Sequence, residues 1–320
     1  MGLGEFDLIR KFFKSDAMAY GVNLGIGDDC ALLNVPEGKH LAVSMDTLVA
    51  DVHFFSNADP ELIAERALRV NLSDLAAMGA DPLWFTLGIS MPDADTHWLQ
   101  GFSAGLNRVA SQYDIALVGG DTTKGPLSIT IQVHGAVDLE RAMTRSGASA
   151  GDLIYVTGSL GDGAAALAVL QKELQVGKSA FDYFMRQFYQ PEPQIRAGAI
   201  LSSLATAAID VSDGLLADLN HICVASGLGA QIDLDAIPIS EPLGKLAEPE
   251  KALKWALSGG DDYQLCFIIP KDADTQLQRL VKEKNLQVTR IGQIEAASGV
   301  RGLKSGHLID LPVRAGFQHF

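Results

Sequence analysis

Apolar positions along this chain recur with a period of two in some stretches and between three and four in others, and each switch marks an element. Residues 40–49 (HLAVSMDTLV), 84–91 (WFTLGISM) and 128–137 (SITIQVHGAV) read as strands. Residues 59–79 (DPELIAERALRVNLSDLAAMG), with Asp59 as cap, and 93–113 (DADTHWLQGFSAGLNRVASQY) read as helices. A polar run with Gly and Ser at 138–151 interrupts this order, and a second alternation then begins. Its strands are DLIYVT (152–157), AAIDV (207–211), AQIDL (230–234), QLCFII (264–269) and QVTRIG (287–292). Its helices are GAAALAVLQKEL (163–174), PQIRAGAILSSL (193–204), DGLLADLNHICVASG (213–227) and a segment near 272–284, and GLKSGHLID (302–310) fits a closing hairpin. The pattern predicts two α/β domains, residues 1–138 and 139–320.

Composition narrows the classes. Of the 320 residues 48% are apolar, enough for two cores. No stretch approaches the roughly 18 uninterrupted apolar residues of a membrane span, and the charged start MGLGEFDLIRKFF lacks a signal peptide's apolar core, so a cytoplasmic location is the expectation. Cys30, Cys223 and Cys266 are far apart and make no metal spacing, which reads as reduced, structural thiols. A net charge of −14 without a concentrated basic face argues against nucleic acid as partner. It does not argue against a polyanion bridged by divalent cations, and the placement of the aspartates suggests that arrangement.

Asp74 lies in the apolar run 70–80 (VNLSDLAAMGA), near a helix C-terminus, where desolvation and the helix dipole both oppose a negative charge. Asn71, three residues earlier, shares its face. In the strand at 40–49, Ser44 and Asp46 project together, opposite Leu41, Val43 and Met45. The plainer alternatives are a carboxylate bonded to a neighbouring loop at Asp74 and a strand-exit cap at Asp46. Three clusters, Gly25–Asp29 (GIGDD), Gly119–Thr123 (GGDTT) and Asp210–Gly214 (DVSDG), read as turns beside strands, where a carboxylate can reach a metal and the backbone can approach a phosphate. Each is also ordinary turn chemistry, and Ser212 or Asp213 would serve as an N-cap. Carboxylates and hydroxyls without paired His or Cys match Mg²⁺ or Mn²⁺.

Walker A, the HRD and DFG kinase signatures and a strand-placed GxGxxG are absent. The GxSxG match at Gly101–Gly105 falls inside an amphipathic helix, so it is no nucleophile elbow. The loop Gly158–Gly163 (GSLGDG) stands between a strand and a helix, either as an anion cradle or as a tight connection.

Together these residues resemble the thiamine-monophosphate kinase family, within the superfamily of aminoimidazole ribonucleotide synthetase and selenophosphate synthetase. The resemblance rests on GEFDLI (4–9), GIGDDCALL (25–33), VNLSDLAAMGADP (70–82), GGDTT (119–123), TRSGA (144–148), DVSDGL (210–215) and SGGDDY (258–263), in order along nearly the whole chain. It implies a magnesium-dependent homodimer that passes the terminal phosphate of ATP to thiamine monophosphate. The N-terminal ATP- and metal-binding domain would carry a mixed sheet forming the dimer interface, and the C-terminal domain would cover the nucleotide site. Carried over by position, Asp29, Ser44, Asp46, Asp74, Asp121, Asp210 and Asp213 would hold metal. Gly120, Asp121, Arg145 and Ser212 would contact ATP, and His53, Asp261 and Phe317 the thiamine substrate. The chain departs from the family at Met45, where a hydroxyl residue is usual, and at Asp261, where glutamate is usual. Two rival readings remain: a superfamily enzyme with another acceptor, such as a cyclo-ligase, and a metal-loaded nucleotide sensor without turnover.

Overall fold

The computed structural model describes residues 4–14 and 19–311. The chain divides into two compact units, Met1–Leu75 with Ala80–Glu140, and Ala76–Gly79 with Arg141–Phe320. Both are α/β with mixed sheets.

In the first unit a short helix α1 (Glu5–Leu8) runs into a π-helical turn at Ile9–Phe13. Strands β1 (Val22–Leu24) and β2 (Leu32–Leu33) then pair antiparallel. The main sheet is built from β3 (His40–Val49), β4 (Asp81–Met91), β5 (Ala116–Lys124) and β6 (Ser128–Val137), in the order β3-β6-β4-β5. Only β4 and β5 run parallel among these neighbours. The helices are α2 (Pro60–Met78) and α3 (Thr96–Gln112). Asp59 and Asp95 cap them through side-chain bonds to Glu61 N–H (2.9 Å) and His97 N–H (2.8 Å).

Phe85, Leu87 and Ile89 of β4 and Ile129, Ile131 and Val133 of β6 are buried, as are Ile63, Leu68 and Leu72 of α2 and Phe102 and Leu106 of α3. The opposite face of β3 is open, and Leu41, Val43 and Met45 are 46%, 50% and 58% exposed. The GxSxG stretch belongs to this packing. Ser103 is buried and bonds to the Gln100 carbonyl, while a Cβ on Gly105 would lie 2.2 Å from the Glu61 carbonyl oxygen. Gly105 is therefore where α3 crosses the start of α2, and the motif is helix packing rather than chemistry.

The second unit holds a seven-stranded sheet in the order β13-β12-β9-β11-β7-β10-β8. Its strands are β7 (Leu153–Thr157), β8 (Ala207–Val211), β9 (Gly229–Asp233), β10 (Gln264–Ile269), β11 (Val288–Glu295), β12 (Gly299–Lys304) and β13 (His307–Asp310). Its helices are α4 (Asp162–Leu170), α5 (Lys178–Tyr189), α6 (Ile195–Leu201), α7 (Leu215–Ser226), α8 (Glu241–Leu246), α9 (Pro249–Ser258) and α10 (Asp274–Lys284). The apolar runs in β7 and β10 follow from burial on both faces. Ile154, Val156, Cys266 and Ile268 enter one core with Leu219 and Ile222 of α7, while Leu153, Tyr155, Phe267 and Ile269 enter another with Leu201 of α6 and Leu277 of α10.

Three sequence expectations change. GGDTT is not a turn but the middle of β5, whose glycines and aspartate disguise a strand. The helix expected over 163–174 ends at Leu170, and Lys172 has φ 63°. Cys223 and Cys266 are buried free thiols, but Cys30 is exposed. No described helix is long and apolar enough to cross a membrane.

Candidate functional site

In the first unit, β3 and α2 bring four expected polar residues together. Ser44 Oγ donates to Asp74 Oδ2 at 2.5 Å, and the Asp46 N–H donates to Asn71 Oδ1 at 3.0 Å. Asn71 is fully buried and anchored by its own amide to the Ala67 carbonyl, so its acceptor is fixed towards β3. The strand alternation and the i, i+3 spacing on α2 meet along one line. The side chain of Met45 leaves on the opposite, exposed face, so it does not join Ser44, Asp46 and Asp74. If this position serves at all, it serves through its backbone.

GIGDD forms the connection between β1 and β2, and Asp28 Oδ1 accepts the Asp29 N–H at 2.9 Å. This loop lines a cavity of about 670 Å³ together with Gly119, Gly120, Asp121 and Thr122 of β5. Leu87, Leu117, Ile9 and Phe13 supply apolar wall, and Arg10, Lys14, Asp28, Asp29 and Asp121 supply charge. Gly120 is required on steric grounds, because a Cβ there would fall 1.9 Å from the Leu87 carbonyl oxygen. Cys30 also lines this cavity.

His53 follows β3 in a tight loop. The Val49 N–H donates to its Nδ1 at 3.0 Å, so the neutral ring carries its proton on Nε2. The buried Arg66 holds the same residue by donating from Nε to the His53 carbonyl at 3.0 Å. Sequence gave no hint of either contact.

In the second unit, Asp210 and Val211 are the last two residues of the buried strand β8 and the first two of DVSDG. Neither Ser212 nor Asp213 caps α7. The cap position is Gly214, and the N–H groups of Ser212, Asp213 and Gly214 all point to one oxygen, Asp218 Oδ2, each at 3.1 Å. Burial, reinforced by the charge of Asp213, raises the Asp218 carboxyl to about 7 against the help of those N–H donors.

The loop Gly259–Tyr263 lies beside DVSDG. Asp261 N–H donates to the Ser212 carbonyl at 2.9 Å, and Tyr263 N–H to the Val211 carbonyl at 2.8 Å. Asp261 and Tyr263 adopt φ of 69° and 50°, and the Tyr263 hydroxyl donates to Asp261 Oδ1 at 2.8 Å. The shorter carboxylate is thus tied back to its own loop. Between them, Asp262 is buried and accepts N–H groups from Gly161 (2.7 Å) and Gly163 (3.1 Å). GSLGDG therefore does form an anion cradle, but the chain's own carboxylate fills it. Burial pushes the Asp262 carboxyl well above the ordinary range. Arg145 is exposed in TRSGA, which is held to β8 by the Ala208 N–H on the Thr144 carbonyl at 2.9 Å. Phe317 lies outside the described residues.

The structure thus gathers Ser44, Asp46 and Asp74 at one place, Asp29, Gly120 and Asp121 at another, and Ser212, Asp213 and Asp261 at a third. Among the described residues, no three His, Cys, Asp or Glu side chains converge as a ready-made metal cage.

Residues 27–137 match the family described as AIR synthase related protein, N-terminal domain, and residues 149–304 match its C-terminal domain. The thiamine-monophosphate kinase of Escherichia coli (strain K12) is 50% identical over 323 residues, which span 100% of this chain and 99% of the relative. The solved thiamine-monophosphate kinase of Stenotrophomonas maltophilia K279a superposes with a TM-score of 0.84 at 42% identity, covering 90% of this chain and 92% of that one. A structure described as AaThiL complexed with AMPPCP and TMP superposes with a TM-score of 0.79 at 30% identity, covering 92% of each chain.

Proposed function

Because the chain belongs to the thiamine-monophosphate kinase family, we propose that it transfers the terminal phosphate of ATP to thiamine monophosphate, yielding thiamine diphosphate and ADP. The observation that carries this reading is the cavity of the first unit. Its wall combines aspartates at 28, 29 and 121, the cations Arg10 and Lys14, an apolar flank and the side-chain-free backbone at Gly120. Such a wall suits a nucleotide whose phosphates need both close backbone approach and charge compensation. The neighbour carrying the ATP analogue AMPPCP and TMP supports both substrates.

Mg²⁺, when bound, would neutralise the phosphates and hold the donor and acceptor oxygens in line. For several such ions, Asp29, Ser44, Asp46, Asp74 and Asp121 of the first unit and Asp210 and Asp213 of the second carry hard oxygen ligands of the right kind. The rest of the chemistry asks little of the protein. A phosphate monoester loses its second proton near pH ~6, so the acceptor oxygen is already anionic at neutral pH and no general base is needed. His53 offers Nε2–H as a donor to the acceptor phosphate, and Gly120, Asp121, Arg145 and Ser212 position ATP. Transfer is direct, without a phosphorylated aspartate.

The working unit is a homodimer, supported by the open apolar face of β3. Exposed Leu41, Val43 and Met45 on one sheet face are costly to leave in water and suit a second copy of the same face.

The test is ADP formation by purified protein with ATP and Mg²⁺, with and without thiamine monophosphate, with the product identified by mass. Stoichiometric thiamine diphosphate is expected. ADP with a different product would move the chain to another acceptor, and nucleotide binding without ADP would make it a sensor.

A further inference from the structure

A carboxylate that no expected role accounts for lies beneath the DVSDG loop. Asp218 sits in the first turn of α7 and is 2% exposed, among Leu215, Leu216 and Leu219. Its Oδ2 accepts three consecutive backbone N–H groups, from Ser212, Asp213 and Gly214, each at 3.1 Å. Consecutive converging N–H groups at a helix start form the concavity that in many nucleotide sites receives a phosphate oxygen. Here an internal oxygen occupies it, so these donors are already used.

Resting on the kinase reading, we propose that Asp218 is a positioning residue: it fills this nest so that the loop serves ATP and its cations through the side chains of Ser212 and Asp213, not through backbone N–H groups. Three hydrogen bonds to one fixed oxygen hold the Cα atoms of both residues still, and their side chains leave from fixed points. Fixing the backbone of two flanking ligands is the task of an outer-shell partner, whose loss typically weakens metal binding by roughly 10–100-fold. The same loop is fastened on its other side, where the Ser212 carbonyl accepts the Asp261 N–H at 2.9 Å. Loosening it at Asp218 therefore leaves a loop anchored on one side only.

Three variants of the full chain test this: Asp218→Ala, Asp218→Asn and, as a reference, Asp213→Asn. The first readout is amide hydrogen exchange at 212–214, which requires no turnover. Asp218→Ala should speed it there, while Asp218→Asn, whose amide oxygen still accepts, should leave it protected. The second readout is Mn²⁺ titration with the ATP analogue AMPPCP. Asp218→Ala should weaken it about tenfold or more, approaching Asp213→Asn, and Asp218→Asn should stay within about threefold of the parent. In turnover, the Mg²⁺ activation constant and KM for ATP should rise in Asp218→Ala.

Unchanged exchange and unchanged Mn²⁺ affinity in Asp218→Ala would overturn the proposal. So would a folded Asp218→Asn that loses Mn²⁺ as badly as Asp218→Ala, since the acceptor oxygen would then be irrelevant. If Asp218→Ala does not fold, Asp218→Asn alone decides, by keeping or losing protection and affinity. A parent protein that binds Mn²⁺ and AMPPCP but makes no thiamine diphosphate would sink the kinase reading while the exchange and titration results still judge Asp218.

Discussion

Asp74 stands in the last turns of α2, where a negative charge is opposed by the helix dipole, yet it is held by the Ser44 hydroxyl at 2.5 Å and is only half-buried. In the proposed reading, this carboxylate, kept at that cost and turned towards β3, serves as a cation ligand. Asp74→Asn retains an acceptor for Ser44 and removes the charge. Turnover should fall by at least about 100-fold while the thermal midpoint moves by only a few degrees. Calorimetry and initial rates on the same preparation check this, and matched losses in both would reduce Asp74 to a structural role. Asp74 was legible because an acid interrupts an apolar helical run. The same signal stands at Asp218 in LLADLNHICV, beside a loop already suspected of chemistry. Asp262 was less legible, since DD in a glycine loop reads as solvated charge, and only the fold brings it under Gly161 and Gly163. The partners of His53 were invisible, because Arg66 reaches it from another element.

Among elements, the most instructive junction is where α4, α5 and α8 meet. Asp162, the first residue of α4, accepts hydrogen bonds from Tyr183 of α5 and from Ser240, the N-cap of α8, both at 2.6 Å. Burial raises the carboxyl of Asp162 above its ordinary range, although both hydroxyls pull it down, and burial with Asp162 raises the Tyr183 phenol. A raised folded-state pKa means that the native protein binds the proton more tightly than the unfolded chain. The resulting stability is fully present below the unfolded value, near ~3.9, and is lost as pH rises through the raised value. Urea midpoints should therefore fall across that interval, and Asp162→Asn should flatten the decline. An identical pH profile in the variant would show that Asp162 titrates normally. Strands β3, β6, β8 and β10 were legible to the residue because alternation or an unbroken apolar run leaves one option. β5 was not, because Gly119, Gly120 and Asp121 carry turn chemistry while the β4 ladder holds them extended. α5, α8 and α9 were missed: α5 is a short amphipathic piece before PQIRAGAILSSL, and α8 and α9 are short helices in the stretch between AQIDL and QLCFII.

On the scale of the whole molecule, the proposed homodimer rests on the open face of β3, where Leu41, Val43 and Met45 are exposed. A lysine at the middle of that face, Val43→Lys, should leave the fold intact by circular dichroism and convert the protein to a monomer by light scattering. A variant of unchanged mass would place the contact elsewhere. Among the described residues, the strand that carries this face is also the outermost of its sheet. A lone newly made chain thus presents greasy side chains on a strand at the edge of its sheet, the combination that seeds cross-chain β-stacking. Whatever covers β3 therefore also guards against aggregation, and overproduction that outruns assembly should yield inclusion bodies before it yields more enzyme.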